Sequence, residues 1–494
     1  MSAAAIALAL TLAAPLAGAL WAGVQGRHGA IAATLTAVTV LAALALMIAA
    51  VARDGVVLMA LGSWEAPLGI TLRADGLALG FMVMSALVMA AVSAIAKAQF
   101  DARRGGSARA AWSFWPLALL LWAALNAVYL SRDLFNLYVA LELLTLAAIA
   151  LVAIGGRAET LAAALRYMVV ALMGSLLYLL GAALLYSAHG TLDIVLLSER
   201  VSGLPADRVA AGLITAGLAA KTALFPFHAW LPPAHSGAPA PASAMLSGLV
   251  PKASFFILLR LWFEVLAELP DQSGLWIMAV LGALAVVHGS VMALRQERLK
   301  MLIAYSTVAQ IGYLFLVFPL AGGEAAAQPW AAGAWTGAIF LALSHGLAKA
   351  AMFLCAGLWI EAVGHDRLEG MRGLAKATPM AVFAFALGAV TLMGLPPSGG
   401  FTAKYLMMTA AFASGQIVWA GVLAVGGLLA AAYLYRPMVL CFAREVPQGL
   451  EPVSRARQAV PLLLAGAAIV LGLASNAPFE FFQIGRPEAA AEGL

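Results

Sequence analysis

Apolar residues in this chain run in blocks of about 20, the length a helix needs to cross a bilayer, separated by short polar punctuation. Such blocks are centred near residues 12, 40, 86, 120, 143, 175, 215, 252, 284, 310, 346, 395, 430 and 466, which predicts about fourteen membrane spans. All are expected to be helical, because a loop or open sheet edge exposed to lipid leaves its backbone groups without partners. The fold class is therefore an all-α polytopic membrane protein.

Two blocks are interrupted. Proline lies inside spans seven and twelve, in TALFPFHAWLPP (Pro226) and LMGLPPSGGF (Pro396), with glycine or further proline close by. A proline removes a helical donor and clashes with the preceding turn, so both helices are predicted to break near mid-membrane and to expose carbonyls to a polar cavity. The breaks recur at one spacing with other landmarks: Arg132 and Arg298, Gly181 and Gly357, Arg260 and Arg436. Offsets of 166 to 176 residues imply duplication of a five-helix unit. Five is odd, so the second copy enters from the opposite face and the repeat is inverted. The predicted organisation is helices one to three over 1–110, a first five-helix repeat over 111–268, its inverted copy over 272–445, and a last helix with a short tail over 446–494.

Composition agrees. The chain of 494 residues is 64% hydrophobic and 10% charged, with mean hydropathy +0.97, which excludes a soluble globular domain. The first segment, MSAAAIALALTLAAPLAGALWAG, ends in small residues like a signal peptide but lacks a basic start, and is read as the first span. Connections after odd-numbered spans hold about fifteen Lys and Arg, among them Arg27, Arg103, Arg104, Arg298, Lys300 and Arg457, against about six elsewhere. Odd loops are thus expected on the cytoplasmic side of a bacterial inner membrane, with both termini outside. The net charge of +5 is this topogenic bias, and no basic stripe with interleaved aromatics suggests nucleic-acid binding. Cys355 and Cys441 stand alone in apolar stretches and suggest neither a disulfide nor a metal site.

The charges inside the spans carry the chemistry. Of seven lysines, Lys221, Lys252, Lys349 and Lys404 fall within predicted spans, where an ammonium costs on the order of 3 kcal/mol or more. Loop charge is mostly arginine. A desolvated ammonium gives up its proton far more readily than a guanidinium, so buried lysines suit a proton relay. Span five holds one acid at mid-depth, Glu142, and a lysine beside it would keep both charged. Glu142 and Lys221 are the proposed pair; a static ion pair is the plainer alternative. In span eleven His345 and Lys349 are four residues apart, one turn on one face. Lys404 follows the second break, placed to link the cavity to the outer face. His228 and His235 flank the first break, placed either to gate water, with Pro226 and Pro396, or to donate to the carbonyls the break frees; His288 lies in span nine. Arg166, Arg260 and Arg436 sit near span ends and are read as snorkelling to the interface. No Walker A, dinucleotide fingerprint, CxxC or HExxH occurs, so no cofactor is expected and the driving force must come from an ion gradient or a partner.

The motifs KTALFPFHAWLPPAHSGAPAPASAMLSGLVPK, LKMLIAYSTVAQIGY, LSHGLAKAAMFL and GLPPSGGFTAK resemble the proton-conducting membrane subunits shared by Mrp-type cation/proton antiporters, respiratory complex I and membrane-bound hydrogenases. The resemblance covers roughly residues 70 to 440, and length and Lys404 are most similar to the D-type Mrp subunit. It implies a proton route through Glu142, Lys221, Lys252, His345, Lys349 and Lys404, in a protein whose partners are other membrane subunits and whose cargo is protons, with Na⁺ the candidate exchanged cation and K⁺ or H⁺ alone left open. One departure is Pro251, directly before Lys252, which is expected to alter that lysine's orientation. The expected function is proton translocation within a multi-subunit antiporter; the alternatives are the pump arm of a redox complex and a scaffold that does not transport.

Overall fold

In the computed structural model, residues 2–26, 29–100, 108–267, 269, 273–444 and 450–487 are described. Arg27, Arg103 and Arg104, and the proposed boundaries at 268, 272, 445 and 446, lie outside them. Thirteen helices among the described residues are long and apolar enough to span a bilayer, and the fourteenth crossing is the broken span twelve. Spans one to six are Ala3–Gln25, Ala30–Asp54, Gly76–Gln99, Ala108–Leu130, Leu134–Ala153 and Ala158–His189. Span seven is Pro205–Thr222 continued by Leu231–Gly237, and span eight is Ala240–Gly248 continued by Val250–Arg260. Spans nine, ten and eleven are Ser273–Leu294, Leu299–Ala321 and Ala331–Val363. Span twelve is Pro379–Met393 plus Gly399–Ala413, and spans thirteen and fourteen are Ile417–Cys441 and Arg455–Leu473. The described strands are one antiparallel hairpin, Val57–Ala60 with Thr71–Ala74, after span two.

Helix starts follow from the sequence. Asp75, Asp133 and Ser398 each accept a backbone N–H from the first turn of spans three, five and the second half of twelve. Helices in lipid gain nothing from burying apolar surface against one another, so close approach of small residues holds them together. Spans six and seven meet at Gly174 and Gly217, where a Cβ on Gly217 would stand 2.3 Å from the Gly174 carbonyl oxygen.

A similar clasp recurs at two of the landmark positions. Arg132 Nε lies 2.9 Å from Asp193, joining the start of span five to the loop after span six. Arg298 Nε lies 2.9 Å from Asp366, joining the start of span ten to the loop after span eleven. An antiparallel backbone bridge accompanies each clasp, Asp133 with Asp193 and Arg298 with Arg367. An odd number of crossings separates them, so they sit on opposite faces. The other arginine landmark is not symmetric. Arg260 does not snorkel: it is buried, with Nη2 2.7 Å from both oxygens of Asp75 and Nη1 2.6 Å from Glu264. Arg73 completes the cluster, 2.9 Å from Asp75 and 3.0 Å from Glu264, and donates to the Gly485 carbonyl at 2.6 Å. Acids capping the start of span three and just past the end of span eight thus hold Arg260 inside, whereas Arg436 stays exposed and donates to the Gln296 carbonyl.

Candidate functional site

Lys221 ends the first half of span seven, and its ammonium lies 2.9 Å from Glu142 Oε1 and 2.9 Å from Thr145 Oγ1. Ser175 of span six donates to the same Glu142 oxygen. The Gly174–Gly217 approach permits this, because it draws span six against the turn of span seven that carries Lys221. Lys221 is 4% exposed and Glu142 19%, so the pair meets the exterior through its acid. The chain then breaks at Ala223, whose φ of +61° turns it aside, and the Trp230 indole joins the Ala223 N–H in donating to the Ala220 carbonyl.

Further along, each buried lysine sits on backbone carbonyls. Pro251 has no N–H to give to the carbonyl four residues back, Ser247, and the Lys252 ammonium donates to that oxygen instead. The expected effect of Pro251 on orientation therefore takes a definite form: the lysine folds back along its own helix. Lys349 donates to the Ile303 carbonyl at 2.9 Å and to Ser306 Oγ, both on span ten. Lys404 donates to the Leu392 and Met393 carbonyls at 3.2 and 3.1 Å, and its ammonium lies 4.5 Å from the centre of the Tyr313 ring. It turns back to cap the end of the first half of span twelve. It does not extend to the outer face.

Polar side chains join these positions. Ser247 and Thr307 hydroxyls are 2.8 Å apart, and Thr307 and Lys349 share the Ile303 carbonyl. Gln310 donates to the Leu392 carbonyl at 2.9 Å, beside Lys404. These residues of spans eight and ten were missed in the sequence; the signal available was a run of small polar residues, YSTVAQ, inside an apolar span. His235 and His345 are fully buried, and neither imidazole has a hydrogen-bond partner among the described residues. His228 stands apart, its ring 4.6 Å from that of His288, so these two form a separate pair beside the first break. Pro226 and Pro396 lie in the two breaks. Lys300 is also not where loop charge would put it: it is 5% exposed in the first turn of span ten and donates to the Ala238 carbonyl. No group of three or more His, Cys, Asp or Glu able to hold a metal occurs among the described residues.

An array of buried ammonium groups on carbonyls, one of them paired with an acid, can hold protons and hand them on. Comparison with known proteins places the chain. Residues 131–430 match the family described as NADH:quinone oxidoreductase/Mrp antiporter, transmembrane. The chain is 37% identical over 402 residues to subunit N of the NADH-quinone oxidoreductase of Desulforudis audaxviator, covering 81% of this chain and 77% of that protein. It is 29% identical over 435 residues to the D-type component of the Na(+)/H(+) antiporter of Alkalihalophilus pseudofirmus, covering 87% and 85%. A chain in the structure of the Mrp complex from Dietzia sp. DQ12-45-1b superposes with a TM-score of 0.86 at 27% identity, covering 97% of this chain and 96% of that one.

Proposed function

The chain belongs to the NADH:quinone oxidoreductase/Mrp antiporter membrane family, and on that premise we propose that it is the proton-translocating subunit of a multi-subunit cation/proton antiporter. The observation that carries the reading is the Lys221–Glu142 pair, 2.9 Å apart inside the membrane at the edge of a helix break. When the pair opens, Lys221 loses the charge that stabilises its ammonium and releases its proton toward Lys252. From there His345, Lys349 and Lys404 carry it across the second repeat, with His228 and His235 beside the first break and Pro226 and Pro396 supplying the hinges. The excess of Lys and Arg on odd loops supports an orientation with those loops in the cytoplasm and both termini outside. Reconstitution of the purified complex into vesicles tests the relay: Glu142→Ala and Lys221→Ala should each lower coupled proton flux about tenfold or more. Full flux in both would end the proposal.

A second reading, the pump arm of a redox-driven complex, is favoured by the 37% identity to a NADH-quinone oxidoreductase component. Mass spectrometry of gently solubilised complex separates the two. Small membrane subunits alone support the antiporter; iron–sulfur or nickel subunits support the pump.

A further inference from the structure

Span six, Ala158–His189, has 32 residues, so it is about 48 Å long where the hydrocarbon core of a bilayer is about 30 Å. Shared equally, the excess leaves about 9 Å of helix beyond the core at each end. Arg166 lies about 12 Å along the axis from Ala158, just inside the level where acyl chains meet phosphates. It is exposed, and its guanidinium makes no hydrogen bond or ion pair among the described residues. From it Val169, Met173, Leu176 and Leu180 follow at helical spacing, each more than half exposed, as an apolar stripe running toward mid-membrane.

A cavity of about 370 Å³ opens beside Arg166, between the start of span six, the second half of span seven and the start of span ten. Arg157, Arg166 and Arg298 line it, against one acid, Glu159. Arg157 Nη2 donates to the Gly237 carbonyl at 3.4 Å, which braces this side chain against span seven and leaves most of its N–H groups to a ligand. Arg298 gives Nε to Asp366, and its two terminal nitrogens have no partner among the described residues. No side chain caps the start of span six, so the first-turn N–H groups of Ala158, Glu159 and Thr160 add the positive end of a long helix to the same wall.

Guanidinium forks match phosphate oxygens in pairs, and a helix start supplies further donors, so the wall suits a phosphate group. The volume lies within the range of small-ligand sites, about 300 to 1,000 Å³. A free phosphate uses the wall alone. A phospholipid uses both features, its phosphate on the arginines and an acyl chain along the stripe from Val169 to Leu180. A zwitterionic headgroup brings an ammonium of its own against three arginines, with Glu159 alone to answer it. An anionic headgroup brings no such conflict.

We propose that this cavity binds the headgroup of an anionic phospholipid from the odd-loop leaflet, its phosphate held by Arg157 and Arg166 with Arg298 beside it. The bound lipid joins the start of span six to the second half of span seven and to span ten. The site is the same whether the chain serves an antiporter or a redox pump.

The test uses the whole purified complex in nanodiscs of phosphatidylcholine that contain phosphatidylglycerol bearing a photoreactive diazirine on its acyl chain. Peptide mass spectrometry after photolysis should find label on residues 158–180 and 231–237, and less there when the diazirine is carried by phosphatidylcholine. Arg157→Gln combined with Arg166→Gln should lower that labelling about tenfold or more, relative to labelling elsewhere on the complex. Arg166→Lys keeps the charge and should lose less than Arg166→Gln. Equal labelling by the two lipids, or unchanged labelling in the double variant, overturns the site. Where the double variant fails to assemble, the comparison of lipids on the wild-type complex decides. Displacement by excess inorganic phosphate at constant ionic strength assigns the cavity to free phosphate, and absence of label from both segments means that a partner subunit covers it; either result ends the lipid proposal.

Discussion

Lys221 has an acid and a hydroxyl for partners, and that geometry separates two roles the pair could play. A static ion pair needs only a cation, whereas a relay needs one that can let its proton go. Lys221→Arg supplies the first without the second. Assembly measured by size-exclusion chromatography should stay near wild type, while proton flux into vesicles falls about a hundredfold; flux within about twofold of wild type would make the pair structural. Removing only the hydroxyl that braces Glu142 is milder. Ser175→Ala costs one hydrogen bond to a charged group, about 1.5 to 3 kcal/mol, and should weaken flux less than Glu142→Ala in the same assay. A larger loss for Ser175→Ala would mean that Ser175 itself moves the proton. At this scale the sequence was uneven. Glu142 and Lys221 could be matched because one acid and few lysines lie deep in apolar runs, and each isolated charge must be answered by another. Arg260 and Lys300 could not, because charges near span ends look alike whether the chain folds over them or leaves them in water.

The broken helices set where the lysines can reach. Gly394 ends the first half of span twelve with a φ of +81°, and a Cβ there would stand 2.5 Å from Lys404 Cδ. Gly394→Ala therefore strains the backbone by about 1 to 3 kcal/mol and pushes Lys404 off the carbonyls it caps. The expected result is a lower Tm of the purified complex together with reduced flux; an unchanged Tm and flux would show that the break tolerates a side chain. The fourteen crossings were legible because the bilayer admits one solution for a long apolar run, and both breaks were legible because proline cannot sit silently in one. The polar contribution of span ten was not. Ser306, Thr307 and Gln310 are too few to lower the hydropathy of their run, and only the fold shows that they face Lys349 and the Leu392 carbonyl.

Across the whole molecule, the Arg73, Asp75, Arg260 and Glu264 cluster ties the start of span three to the end of span eight and to the segment after span fourteen. Asp75→Asn leaves two arginines short of an acid while preserving shape, and breaking such a buried pair costs about 3 to 5 kcal/mol. The yield of monodisperse purified complex should fall steeply, with pairing at Lys221 untouched; an unchanged yield and Tm would mean that Glu264 alone balances both arginines. The same cluster bears on how the chain is made. Arg73 lies ahead of twelve of the fourteen spans, yet one of its hydrogen bonds closes on Gly485, 412 residues later. The early hairpin reaches this partner only after the ribosome has released residue 485, so assembly includes a late docking step that a product terminated before that point cannot complete.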